Sequence, residues 1–148
     1  MKFELDPIGT IHSPFTETSQ IPKGPGARHD ADGVLEIRAD LEPGLLDVEG
    51  FSHLYVLWIF HRARGMDLIA HPPTDTRPHG VFATRSPRRP NAIGLTVVRL
   101  LRREGTRLYV RGVDMLDGTP IVDIKPYLSS VPVEEIRRGW LAEVSAPR

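Results

Sequence analysis

Prolines and glycines recur so densely along this chain, 14 and 13 times in 148 residues, that long helices have little room to form. A proline inside a helix removes a hydrogen bond and collides with the preceding turn, and a glycine there adds an entropic cost. The remaining option is short strands separated by many turns. The breakers are densest from Ser13 to Arg28, with Pro14, Pro22, Gly24, Pro25 and Gly26, and from Arg62 to His79, with Pro72, Pro73 and Pro78. Both stretches read as loops.

Between the loops the apolar pattern fits strands. His53 to Phe60, HLYVLWIF, is a nearly continuous apolar run. Its β-branched and aromatic content favours a strand covered on both faces over a core helix segment. Leu5 to His12 reads as a first strand that Pro7 confines to an edge or delays. Val34 to Arg38 alternates like a half-buried strand, and Gly80 to Thr84 reads as another short one. Leu41 to Val48 has room for no more than one helical turn. Ile93 to Arg103 and Arg107 to Val113 flank Glu104-Gly105-Thr106, a hairpin signal. Thr119 to Lys125 closes the series, with Ile121 and Asp123 on one face and Val122 and Ile124 on the other. A late helix is expected over Val133 to Trp140, opened by Pro132, with Glu134 and Glu135 in its first turn. Six or seven short strands predict an all-β fold, barrel or sandwich, in a single domain.

The chain has no cysteine, which excludes disulfides and thiolate metal sites. No apolar run is long enough to span a bilayer, and Met1 to Leu5 lacks the flank of a signal peptide. A cytoplasmic location without membrane attachment is the expectation. Charge is unevenly spread: Asp30 to Glu49 holds seven acids and one base, whereas Arg77 to Arg111 holds nine arginines and one acid. Two readings are open. The two segments neutralise each other within the fold, or the arginines form an anion-binding surface.

Three constellations have chemical potential. In Ala83 to Asn91, ATRSPRRPN, Pro87 and Pro90 fix their own φ and hold Ser86 and Arg89 extended. Such a stiff loop presents Arg85, Arg88 and Arg89 beside Asn91 to a carboxylate or phosphate, or else pairs them with the acidic segment. Second, Asp123 and Lys125 share a strand face near Asp114 and Tyr127. They read either as a partly enclosed pair that binds a ribose, base edge or amine, or as an exposed ion pair. Third, His53 and His61 would lie about 26 Å apart along a straight strand at about 3.3 Å per residue, too far to share a metal. His71 and His79 lack a recognisable ligand spacing, so no metal site is expected. No glycine-rich turn opens a helix, which excludes a Rossmann or P-loop nucleotide site.

Four ordered segments, PIGTIHSPF (7–15), FSHLYVLWIFHRA (51–63), GVFATRSPRRPNAIGL (80–95) and LDGTPIVDIKPYL (116–128), resemble the TsaA-like family of β-barrel S-adenosylmethionine-dependent tRNA methyltransferases. The resemblance implies a single-sheeted closed barrel over residues 1–130, followed by a short C-terminal helix or tail over 131–148. It also implies a homodimer, S-adenosylmethionine as cofactor, and methylation of threonylcarbamoyladenosine beside the tRNA anticodon. Carried over by position, the implied cofactor contacts are Pro25, Gly26, Ala27, His61, Arg62, Arg85, Leu95, Arg111, Gly112, Val113 and Asp114. Within that frame Arg85 suits the methionine carboxylate, Leu95 the adenine and Asp114 the ribose hydroxyls. Arg88, Arg89, Asn91 and Lys125 are expected to meet substrate. Asp117, Asp123 and Tyr127 are the candidates to accept the substrate proton. Another nucleoside or small molecule as substrate, or a non-catalytic nucleotide- or RNA-binding barrel, are the alternatives.

Overall fold

The computed structural model describes residues 1–23 and 27–144. Among these residues eight strands form: β1 (Gly9–His12), β2 (Asp32–Ile37), β3 (His53–Ile59), β4 (Ile69–Ala70), β5 (His79–Gly80), β6 (Ile93–Glu104), β7 (Arg107–Arg111) and β8 (Thr119–Pro126). Six of them close into a barrel in the order β1-β2-β7-β6-β3-β8, with β8 pairing back onto β1 and every pairing antiparallel. Closure leaves no unpaired edge among these strands. β4 and β5 form a separate two-stranded ribbon. Among the described residues no helix is long and apolar enough to cross a membrane.

Strand alternation fills the barrel. Ile11, Leu35, Leu54, Val56, Val98, Leu108, Val110 and Ile121 point inward and are fully or almost fully buried. Each such side chain contributes about 1.5–3 kcal/mol relative to exposure, and a barrel this small is packed solid with side chains. β3 buries Leu54, Val56 and Trp58 and leaves the residues between them half-buried. One face of HLYVLWIF is therefore core and the other lies on the barrel's outer wall, where the sequence led us to expect cover on both.

Other departures have local causes. β1 starts only at Gly9, after Pro7, and is not an edge strand, because it pairs with both β2 and β8. The apolar letters after Gly80 form a 3-10 turn, Val81–Ala83, that buries Val81 and exposes Phe82 and Ala83. Within β8 the register slips opposite Leu57 and Trp58, which pair with Asp123 and Ile121. Val122 is thus the extra residue of a bulge. The bulge reverses the alternation, so that Ile121 and Ile124 both pack toward the core while Asp123 parts from Ile121. The expected late helix is instead a 3-10 turn, Val133–Glu135, and a single α-helical turn, α1 (Leu141–Val144).

Candidate active site

The end of β3, the start of β6, the segment after β7 and the start of β8 meet at one mouth of the barrel. Between them opens a cleft of about 790 Å³, within the size range of small-molecule sites. Its apolar walls are Trp58, Phe60, Ile93, Leu95, Met115 and Leu116. Gly94 is the close-packing point. It faces Trp58 across the β3–β6 ladder, and a Cβ there would stand 2.3 Å from the indole. The indole therefore lies over Gly94, with Phe60 tilted against it at a centroid distance of 4.3 Å.

A short polar chain joins two lining residues, Trp58 and Asp114, through buried Thr96. Trp58 Nε1 donates to Thr96 Oγ1 at 3.0 Å, and Thr96 Oγ1 donates to Asp114 Oδ1 at 2.6 Å. The single Thr96 hydroxyl satisfies the indole and orients the carboxylate. Gly112, at φ +104°, makes the turn that leads to Asp114, and the N–H groups of Gly112 and Val113 both donate to Ala31 O. Sequence reasoning missed Trp58 and Thr96. The hint was a threonine at an inward position of the apolar first half of β6.

Arginines make up another part of the lining. Arg85, Arg88, Arg89, His61 and Arg62 line the cleft. Arg89 Nη1 donates to Thr84 O and Ser86 O, which stiffens the loop. Arg88 donates to Arg64 O and to Asp67 Oδ2, the latter at 2.7 Å, and lowers the Asp67 pKa from the usual carboxylate value. Arg62 Nη1 donates to Thr16 O across the mouth. Arg85 is exposed and makes no hydrogen bond or ion pair among the described residues.

The remaining expected site residues are spread more widely. Arg111 is engaged by Asp32 at 2.7 Å, and Gly112 and Val113 are buried behind Asp114. None of these three lines the cleft, nor does half-buried Ala27; Pro25 and Gly26 lie outside the described residues. Ile21 and Lys23, just before them, do line it. Asn91 is exposed on the turn into β6, where its carbonyl accepts from Ile93 N at 2.7 Å. Asp117 accepts from Ser13 N on the turn whose Leu116 and Thr119 line the cleft. Asp123, Lys125 and Tyr127 lie toward the opposite end of β8. There Lys125 is 3.5 Å from Asp123, the pair is largely exposed, and Tyr127 packs against Tyr55. Among the described residues no group of three or more histidine and carboxylate side chains could hold a metal.

Residues 10–132 match the family model of the tRNA-methyltransferase O N-terminal domain. A probable S-adenosyl-L-methionine-binding protein of Pyrococcus abyssi is 48% identical over 136 residues, which cover 91% of this chain and 74% of that protein. The mouse tRNA (adenine(37)-N6)-methyltransferase is 40% identical over 131 residues, covering 84% of this chain but only 30% of that enzyme. A crystal structure of TrmO superimposes with a TM-score of 0.80 at 39% identity, over 94% of this chain and 64% of that one. TrmO from Pseudomonas aeruginosa superimposes with a TM-score of 0.76 at the same identity. This chain belongs to the tRNA-methyltransferase O N-terminal domain family.

Proposed function

We propose that this chain is an S-adenosylmethionine-dependent methyltransferase that methylates the exocyclic nitrogen of threonylcarbamoyladenosine beside the tRNA anticodon. The observation that carries the reading is the cleft itself. An uncommitted guanidinium, an apolar wall and an oriented carboxylate surround one space, and they match the three ends of the donor. Arg85 suits the donor's carboxylate, the Leu95 side of the cleft suits adenine, and Asp114, with one oxygen held by Thr96, suits ribose hydroxyls. His61 and Arg62 border the same space. Arg111, Gly112 and Val113 act from behind, by placing Asp114 and the strand ends.

S-adenosylmethionine supplies an electrophilic methyl group on sulfur. In-line transfer needs the accepting nitrogen held on the far side of that sulfur. In this reading Arg88 and Arg89, with Asn91 nearby, hold an RNA phosphate at the mouth through the donors left over from their bonds to Asp67 and to backbone carbonyls. The urea-like nitrogen is a poor nucleophile while protonated, so a base must take its proton. Of Asp117, Asp123 and Tyr127, Asp117 stands on the cleft side. Asp123, Lys125 and Tyr127 reach a substrate only if it extends along β8 or if a second subunit brings them to its neighbour's cleft.

We further take the protein to be a cytoplasmic homodimer whose catalytic unit is residues 1–130. Ile93, Leu95 and Val97 form an exposed apolar stripe on the outer face of β6, continuous with the cleft that Ile93 and Leu95 line. A second copy on this stripe would cover both. The test of the whole reading is a nucleoside profile of tRNA, by mass analysis, from cells with and without the gene. Loss of a mass increment of one methyl on threonylcarbamoyladenosine is expected. An unchanged profile refutes the assignment.

A further inference from the structure

The last described part of the chain folds back onto the loop that carries Arg85. Trp140 lies beyond the family-matched residues 10–132, yet it grips that loop at two points. Its ring stacks on His79, with centroids 4.0 Å apart and planes 13° from parallel. Its Nε1–H donates to Ala83 O at 2.8 Å. His79 belongs to β5 and Ala83 ends the following 3-10 turn. The indole thus spans the turn from which Thr84 and Arg85 emerge. A second tie lies beside it: Arg77 Nη2 bridges Asp75 at 2.9 Å and Glu143 at 2.7 Å. The Asp75 carboxylate, with only 7% of its side chain exposed, also meets His79 Nε2 at 2.9 Å.

The loop is well knit internally. Thr84 Oγ1 donates to Val81 O, Ser86 N donates to Thr84 Oγ1, and Arg89 donates to Thr84 O. These bonds make residues 81–89 rigid without aiming them. The aim is set from outside, by the Asp67–Leu68 backbone on one side, which bonds Arg88 O and Val81 N, and by Trp140 on the other. An exposed arginine with no carboxylate partner has nothing of its own to fix its direction, so its loop must supply that.

We propose that Trp140 is a positioning residue: the C-terminal segment clamps the 81–89 loop so that Arg85 faces the cleft, and thereby sets affinity for the carboxylate end of the ligand. The inference rests on the reading of the cleft as the S-adenosylmethionine site. Its signature is selectivity. Loosening the clamp weakens a ligand that bears the amino-acid carboxylate and spares one that shares only the adenosine end.

The test is isothermal titration of the full chain and its Trp140→Ala and Trp140→Phe variants with S-adenosylmethionine and with 5′-methylthioadenosine, which lacks the amino-acid end. Trp140→Ala is expected to weaken S-adenosylmethionine about three- to ten-fold, the worth of one well-placed hydrogen bond, while methylthioadenosine stays within about two-fold. Trp140→Phe keeps a ring on His79 without the donor and should fall between. If the alanine variant does not fold, the ratio of the two affinities in the phenylalanine variant decides. Equal weakening of both ligands, or of neither, overturns the clamp. Selective weakening by Arg85→Ala but not by either Trp140 variant overturns the clamp and leaves the cleft reading intact. A wild-type chain that binds neither ligand overturns both.

Discussion

Three arginines on the β2–β7–β6 flank, Arg103, Arg107 and Arg111, and Arg85 at the cleft mouth are placed under opposite electrostatic conditions. On the flank, the acidic segment does the neutralising. Arg111 forks onto Asp32, Arg107 stands 3.6 Å from Glu36, and Arg103 reaches Glu42 and Glu49. At the mouth, Arg88 is paired with Asp67 and Arg89 Nη1 donates to backbone carbonyls, but Arg85 has no carboxylate among the described residues. The neutralising reading of the uneven charge holds on the flank, and Arg85 is the arginine to which the anion-binding reading applies. The lesson is that a run of arginines is not one feature. Register decides which of them meets an acid, and only those left over are available to a ligand.

The sharpest way to break this contrast is to remove one arginine from each group. Arg85→Ala is expected to weaken S-adenosylmethionine about ten- to a hundred-fold, the usual worth of a charged hydrogen bond, while Arg107→Ala, on the flank beside Glu36, leaves affinity unchanged. Titration calorimetry on both variants measures the difference. Equal effects would show that the flank and the mouth do not differ in function.

A smaller effect is expected where the two regions share a wall. Gly94→Ala puts a methyl group into the Trp58 ring, 2.3 Å from the nearest indole atom. Overpacking of this kind costs about 1–3 kcal/mol, and displacing the indole also breaks its bond to Thr96. Chemical denaturation gives the loss, and a variant as stable as the wild type would contradict the packing described.

The smallest effect concerns pH and the paired carboxylates. The Arg111 hydrogen bond holds the Asp32 carboxyl below its usual pKa. Arg77, followed by His79, does the same more strongly for Asp75. Both ionise more readily in the folded chain. Their stabilisation is therefore complete above the unfolded carboxylate value of about 3.9 and declines as pH falls through the lower folded values. Thermal unfolding should show no loss from these carboxylates between about pH 8 and 5, and a decline beginning below about pH 4 that Asp75→Asn makes shallower. An unaltered acid limb in that variant would mean the Asp75 cluster contributes nothing.

Local signals made much of the fold legible. The β6–β7 hairpin was clear because two periodic runs flank Gly105, which takes φ +60° in the turn. HLYVLWIF read as a strand from its composition alone. The bulge at Val122 was not legible, since alternation along β8 gives no warning of a slip that β3 imposes. Gly80 to Thr84 misled because apolar letters in a 3-10 turn look like those of a short strand. In the site, the Arg85 loop stood out through its two prolines, a local property. The Trp58–Thr96–Asp114 chain did not, because its bonds join residues 38 and 18 apart and exist only once Gly94 lets the indole lie flat. Trp140 was read as part of a helix, and its bond across 57 residues to Ala83 had no sequence signal at all.

On this reading a sulfonium methyl donor binds at the barrel mouth, where Arg85 is left uncommitted. A crystal grown with S-adenosylmethionine tests it directly. The expected result is the donor in the cleft, its carboxylate within hydrogen-bonding distance of the Arg85 guanidinium and its ribose against Asp114. A donor bound elsewhere on the barrel, or an Arg85 turned away from it, would contradict the claim.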